Sequence, residues 1–348
     1  MSRPAVPQYI GQNFNDCPPG HRFNLYFPIW RADWSADNNG KAAAIRECTA
    51  IPSTAKNLLA GLLARQRALA EASGALVLEA KSLSPFATGL GLEHPVENGF
   101  AFLSPYGLPY LAGSGAKGVF RKAAEELTCE DNAPLTLTDV DALFGPEDND
   151  NARRSALAFW DVFPDGPAMS VEIMTPHHSG YYQNGGTPND AGQPNPIPFL
   201  AIPHGAKFRF VVQCDERRLP EALVSRWKET VTAIFTHACD WRGFGAKTAV
   251  GYGALAPLTE QERAVAAAQA QQCPWVETQL TEIAARNNAT PEDTLRGKAL
   301  AEAWQSIAEA GLKAAALADI QRRWQAEGWW DNPPGKASRQ AKAIYTTP

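Results

Sequence analysis

An α+β fold, with a ferredoxin-like sheet carrying helices on one face and a helical extension behind it, is what this 348-residue sequence predicts. Three observations carry it. Alternating apolar residues at 75–81 lead through a loop into an amphipathic helix and then a buried run at 155–163. A second strand at 207–212 leads into a helix whose apolar face is Leu223, Trp227, Val231, Ile234 and Ala238. Beyond Leu255 the chain turns alanine-rich and helical stripes replace alternation.

Residues 1–40, rich in Pro, Asn and aromatics, read as an irregular arm with one short strand. Ser53 is the expected N-cap of a helix over 54–72, where Leu58, Leu59, Leu62, Leu63 and Leu69 recur at helical spacing and Gly74 ends the run. A glycine-punctuated loop at 84–95 holds the polar pair Glu93 and His94, and short strands at 100–103 and 109–111 flank Pro105-Tyr106-Gly107. The polar stretch 130–154 reads as an insertion, and 174–203 as a long irregular segment of the kind that carries function or is disordered. Pro220 is a good first helical residue, and 246–250 reads as a short strand. Thr259 and Glu262 form a capping box, after which helices break near Pro291, Gly297 and Gly311. Leu300, Trp304 and Ile307 make one stripe and Leu317, Ile320 and Trp324 another, with a mobile tail expected from Pro333. The resulting division is 1–74 for the arm and the helix packing on the core, 75–256 for the sheet domain, and 257–348 for the extension.

At 45% hydrophobic and 20% charged residues the chain is globular rather than disordered. Its net charge of −5 excludes indiscriminate polyanion binding, so a nucleic-acid surface has to be a local basic patch. Cys17, Cys48, Cys129, Cys214, Cys239 and Cys273 are scattered, which suits a reducing cytoplasm and offers neither a disulfide framework nor a zinc site. No signal peptide or membrane span is legible, so a cytoplasmic protein is expected.

Two glycine-rich segments, each with a lysine, concentrate the chemistry. Gly113-Ser114-Gly115-Ala116-Lys117-Gly118 runs into a helix that carries Arg121 and Lys122 on one basic face. Gly243-Phe244-Gly245-Ala246-Lys247-Thr248 follows Arg242 and closes with Gly251-Tyr252-Gly253. Glycine lets a backbone approach an anion with its N–H groups aligned, and a helix N-terminus and a lysine add positive charge. The pair therefore reads either as two turns converging on one sugar–phosphate chain or as two tight turns with solvated lysines. A nucleoside-triphosphate loop is excluded, because neither segment has Gly-Lys-[Ser/Thr] in the required frame. His177, His178, Tyr181 and Tyr182 fit base stacking, acid–base chemistry or a loop packed on its own aromatics.

These motifs, with Thr88-Gly89-Leu90-Gly91, resemble the RAMP superfamily of CRISPR proteins. Glu97-Asn98-Gly99-Phe100, Tyr106-Gly107-Leu108-Pro109-Tyr110, Phe159-Trp160-Asp161-Val162-Phe163-Pro164, Met174-Thr175-Pro176-His177-His178 and Ile197-Pro198-Phe199-Leu200 are similar, more narrowly, to the sixth-subunit family of type III-B (Cmr) effector complexes. The resemblance runs from about Leu76 to Leu255. It implies an RRM-like domain without cofactor or metal, bound to crRNA and target RNA. It also implies neighbours: the backbone RAMP subunit, the small helical subunit and another RAMP subunit, with this chain capping the filament near the crRNA 3′ end. Target cleavage in such complexes uses an aspartate of the backbone subunit, and the matching loop here has Glu93 and His94 instead. The expected role is thus non-catalytic RNA binding; the alternative is a metal-independent endoribonuclease acting on precursor RNA through His177 or His178. Where the family often has two serines and a leucine before the lysine, this chain has Gly113-Ser114-Gly115-Ala116.

Overall fold

A computed structural model describes residues 2–11, 13–129, 135–147, 153–166, 168–175, 185, 196–263 and 273–346. The chain divides into two units, 1–258 and 259–348. In the first, the described strands are β1 (Leu76–Ser82), β2 (Phe102–Leu103), β3 (Leu108–Pro109), β4 (Leu157–Phe159), β5 (Ser170–Met174), β6 (Ile197–Ala201), β7 (Lys207–Cys214) and β8 (Leu255–Pro257). Its helices are α1 (Pro19–Asn24), α2 (Lys41–Glu47), α3 (Ser53–Ser73), α4 (Gly113–Leu127), α5 (Leu137–Phe144), α6 (Glu221–Val224) and α7 (Trp227–His237).

The main sheet is antiparallel in the order β4-β7-β1-β8. Leu76 lies opposite Val212 and Lys81 opposite Lys207, while Ser82 lies opposite Leu255 on the other side of β1. Counted along the chain, the four strands stand second, third, first and fourth, with α4 crossing from first to second and α6–α7 from third to fourth. That is the ferredoxin-like topology the sequence predicts. Period-two alternation turns Leu78 and Ala80 of β1 and Phe208, Phe210 and Val212 of β7 inward, where all five are buried. Phe120 of α4 meets Phe159, Phe210, Phe235 and Phe244 with ring centroids 4.9–6.0 Å apart, so one aromatic cluster welds α4 and α7 to the sheet.

Several expectations change. The N-terminal residues expected to be irregular include α1, and Phe23, Phe27, Ile29, Ala44 and Ile45 of α1, α2 and the segment between them enter the main core. Helix α3 begins at Ser53 with Pro52 in the N-cap position, and Gly74 at φ 63° ends it as expected. The stretch 130–154 contains α5, started by a reciprocal Thr136–Asp139 capping box, with Val140, Leu143 and Phe144 buried. Its acidic flanks hide that short apolar face from a composition reading. Residues 246–250 do not form a strand but a turn ending in a 3₁₀ helix, Thr248–Val250. The segment expected to be irregular from Met174 is preceded by β5, which pairs antiparallel with β6 from Ser170↔Ala201 to Met174↔Ile197.

The second unit consists of α8 (Pro274–Asn287), α9 (Pro291–Leu295), α10 (Lys298–Gln305), α11 (Ala310–Ala326) and α12 (Gly335–Thr346) among its described residues. Val276, Leu280, Leu300, Trp304, Ile320 and Trp324 form its core, so both stripes read from the sequence pack inward. The buried Asp319 accepts the Cys273 N–H at 2.7 Å and pairs with Arg323 at 3.0 Å, holding the start of α8 against α11. The tail beyond Pro333 is helical and packed: α12 buries Ala341 and Tyr345, and Tyr345 meets Trp304 edge-on at 5.4 Å.

Candidate nucleic-acid interface

The first glycine segment is the opening of α4 rather than a loop. Gly113 sits there because a Cβ would lie 2.3 Å from the Phe159 carbonyl oxygen; the helix start presses directly on β4. Its N–H donates to Asp161 Oδ1 at 2.8 Å, so the innermost donor of the helix already holds a carboxylate. The next two amides, of Ser114 and Gly115, have no partner among the described residues, and both residues are exposed. Gly118, one turn on, is exposed with nothing within 4 Å of a built Cβ. A bare small-residue surface thus remains at the mouth of α4.

The cations behind it are engaged internally. Lys117 Nζ donates to Ser155 Oγ at 2.7 Å, and burial, with Arg121 nearby, holds its pKa below the usual lysine value. Arg121 pairs with Glu125 at 2.8 Å, Glu147 at 3.3 Å and Asp141 at 3.4 Å, and donates to the Gly145 carbonyl. It clamps α5 and the turn after it onto α4 instead of facing solvent. Lys122 is half-exposed and pairs with Glu125 at 2.7 Å; this contact leads the upward shift of its pKa.

The second glycine segment exists to insert Phe244, fully buried, into the aromatic cluster. Phe244 N–H donates to Gly253 O at 2.9 Å, and at Gly253, φ 70°, a Cβ would lie 1.8 Å from the Phe244 oxygen. No side chain fits there. Ala246 N–H donates to Ala87 O at 2.7 Å and Gly253 N–H to Pro85 O at 2.8 Å, fixing the loop to the exit of β1 beside β8. Lys247 takes the left-handed conformation at φ 62°, its carbonyl accepts from Val250 and Tyr252, and its ammonium has no partner among the described residues. Arg242 pairs with Glu126 at 2.9 Å, and Glu126 also meets His237 at 3.0 Å.

The two segments are anchored by different elements. The first is tied to the edge strand β4 through Asp161 and Ser155, the second to the β8 edge. Three strand spacings of about 4.8 Å put those edges about 14 Å apart. Helix α4 nonetheless meets the second segment through Phe120–Phe244 at 6.0 Å and Glu126–Arg242 at 2.9 Å. His177, His178, Tyr181 and Tyr182 lie outside the described residues. His94 belongs to the core: its ring stacks on Phe23 at 3.7 Å, Nε2 bonds the Phe23 carbonyl at 2.9 Å and Nδ1 accepts from Val96 N–H at 3.3 Å. Glu93 is exposed, and neighbouring Glu97 pairs with Lys41.

The outward positions of β1 and β7, Val77, Glu79, Lys81, Lys207, Arg209, Val211 and Gln213, carry no aromatic residue; Val211 is buried and Arg209 pairs with Glu79 at 2.9 Å. The sheet face is thus not a base-stacking platform of the RRM kind.

A family model, the RAMP superfamily, matches residues 79–256, from within β1 to within β8. The chain belongs to the RAMP superfamily. Within it, the chain is similar to CRISPR system Cmr subunit Cmr6 of Pyrococcus furiosus, 26% identical over 50% of this chain and 66% of that protein; it therefore spans just under two thirds of that relative's length. Among solved structures, it is similar to a chain of the type III-B Cmr-beta complex bound to cognate target RNA, with 20% identity, TM-score 0.46, and 64% of this chain and 71% of that one covered. The crystal structure of Cmr6 from Pyrococcus furiosus gives 25% identity and TM-score 0.33 over 53% of this chain and 98% of that one.

One exposed residue of the RAMP domain escapes a sequence reading. Trp241 is 78% exposed although it continues the i+3 spacing from Ala238 that marks core. The turn Ala238–Arg242 is π-helical, and its extra residue per turn carries Trp241 out of the stripe while Phe244 takes the core position. Among the described residues no helix is long and apolar enough to cross a membrane.

Proposed function

We propose that this RAMP protein is a non-catalytic RNA-binding subunit of a type III-B (Cmr) CRISPR effector ribonucleoprotein in the cytoplasm. In that role it holds crRNA and target RNA beside the backbone RAMP subunit, the small helical subunit and another RAMP subunit, and caps the filament near the crRNA 3′ end. Its similarity to Cmr6 supports the assembly; the observation that carries RNA contact is Lys247. A lysine held in the left-handed region costs about 1–2 kcal/mol relative to ordinary backbone, in a loop otherwise punctuated by glycine. Its ammonium meets no carboxylate among the described residues, so the position suits a ligand phosphate better than the fold's own stability. Trp241, on the turn leading into the same loop, supplies an exposed ring of the type on which any base stacks. The Ser114 and Gly115 amides form a second contact at the opposite edge, so successive phosphates of a strand crossing the domain meet them in turn. The segment holding His177, His178, Tyr181 and Tyr182 is assigned to RNA contact rather than to cleavage.

Filter binding of single-stranded RNA tests this with Ser114→Glu and Lys247→Glu. Glutamate in the first turn favours the helix, so Ser114→Glu repels phosphate without unfolding α4. Both variants are expected to weaken binding and flatten its salt dependence. Unchanged affinity in both overturns the assignment, and metal-independent cleavage of repeat RNA lost in His177→Ala/His178→Ala overturns the non-catalytic role.

A further inference from the structure

We propose that the helical unit 259–348 carries its own contact for single-stranded nucleic acid, built from the cationic face of α12 and the indoles of Trp329 and Trp330. Of residues 328–348 only Asp331 is acidic, against Lys336, Arg339 and Lys342. Helix α12 buries Ser338, Ala341 and Tyr345 and leaves Lys336 and Arg339, three apart on one side, exposed, with Lys342 half-buried beyond them. None of these three cations makes an ion pair among the described residues. Four other cations of the unit are matched: Arg296 with Asp293, Lys298 with Glu302, and Arg322 and Arg323 with Asp319. Lys336 and Arg339 also sit in the first half of their helix, where positive charge opposes the macrodipole. Helix stability therefore does not explain them.

The rings lie alongside. Trp329 and Trp330 meet Trp324 edge-on at 6.4 and 6.0 Å and are only half-buried. Lys342 Nζ is 6.0 Å from the Trp330 ring centre and the Arg296 guanidinium 5.8 Å from that of Trp329. Ring faces interleaved with cations, of which Lys342 makes no ion pair among the described residues, suit a flexible polyanion whose bases stack while its phosphates meet charge. The residues of this surface lie outside 79–256, the range the RAMP family model matches.

The test uses the full chain and a fluorescein-labelled 20-nucleotide oligouridine, with anisotropy followed across a potassium chloride series. Lys336→Glu/Arg339→Glu is expected to lower the salt slope by about 0.7 for each phosphate no longer neutralised. Trp330→Ala is expected to weaken binding about tenfold. Photocrosslinks from 5-iodouridine are expected on Trp329, Trp330 or α12, and to persist in Ser114→Glu/Lys247→Glu even if the RAMP-domain contacts are wrong. Unchanged affinity and slope in the charge variant at an unchanged melting temperature overturn the proposal. So do crosslinks confined to residues 79–256, or loss of a protein partner with RNA binding intact. Should Trp330→Ala lower the melting temperature, the charge variant, made at exposed positions, decides.

Discussion

The backbone N–H of Gly113 donates to the Asp161 side chain at 2.8 Å. The carbonyl of Asp161 in turn accepts from Gln66 Nε2 at 2.9 Å, so one residue after β4 joins the start of α4 to the middle of α3. A motif that reads as an anion site is thus partly satisfied by the protein itself. Asp161→Ala is expected to cost about 1 kcal/mol, the usual loss of a helix-start acceptor. Gly113→Ala is expected to cost about 1–3 kcal/mol, because the added methyl meets backbone that cannot move aside. Urea unfolding checks both; a Gly113→Ala midpoint equal to that of the parent refutes the close-packing account.

Stability and RNA affinity are expected to part company at two positions. Gly118→Ala replaces glycine in a helix with open space around it, and is expected to stabilise by about 0.5–1 kcal/mol while blocking close approach of a strand. Lys247→Gly relieves left-handed strain, less the extra freedom glycine gives the unfolded chain, for a net gain of about 0.5–1 kcal/mol. Both variants are expected to melt later and bind RNA more weakly. Parallel gains in stability and affinity contradict a ligand role for these residues.

The sheet was legible because alternation at Leu78 and Ala80 and the stripe from Leu223 to Ala238 are one-sided patterns set by burial. The site was less so. Glu125 beside Arg121 is visible in one dimension, but the other partners of Arg121 and Lys117, namely Asp141, Glu147 and Ser155, are set by tertiary packing and lie 20 or more residues away. Gly243 and Gly253 carry the same ambiguity: glycine that lets backbone approach a ligand and glycine that lets backbone approach backbone leave identical letters. Trp241 was hidden by the opposite effect, since its spacing fits a core that the π-helical turn carries it away from. The capping box of α5 was readable at Thr136–Asp139 but lay within an acidic stretch.

Folding is expected to weaken in mild acid through His94. Burial against Phe23 and Phe27 lowers its pKa below the usual 6.5. Both ring nitrogens are satisfied by the neutral form, Nε2–H toward the Phe23 carbonyl and Nδ1 toward Val96 N–H. The unfolded chain binds the proton first, so stability is full above the unfolded pKa of 6.5 and declines as pH falls below it toward the lower folded value. Thermal melts from pH 7.5 to 5 are expected to show this slope and to lose it in His94→Gln. An identical slope in both proteins contradicts the assignment.

Affinity purification of the tagged chain from its own cells, followed by sequencing of bound RNA and mass spectrometry of bound proteins, tests whether the protein holds RNA within a Cmr assembly. A CRISPR guide RNA is expected together with the other Cmr subunits, both reduced when Ser114 and Lys247 are changed to glutamate. Recovery of the chain without guide RNA, or with RNA retained undiminished in that variant, contradicts that role.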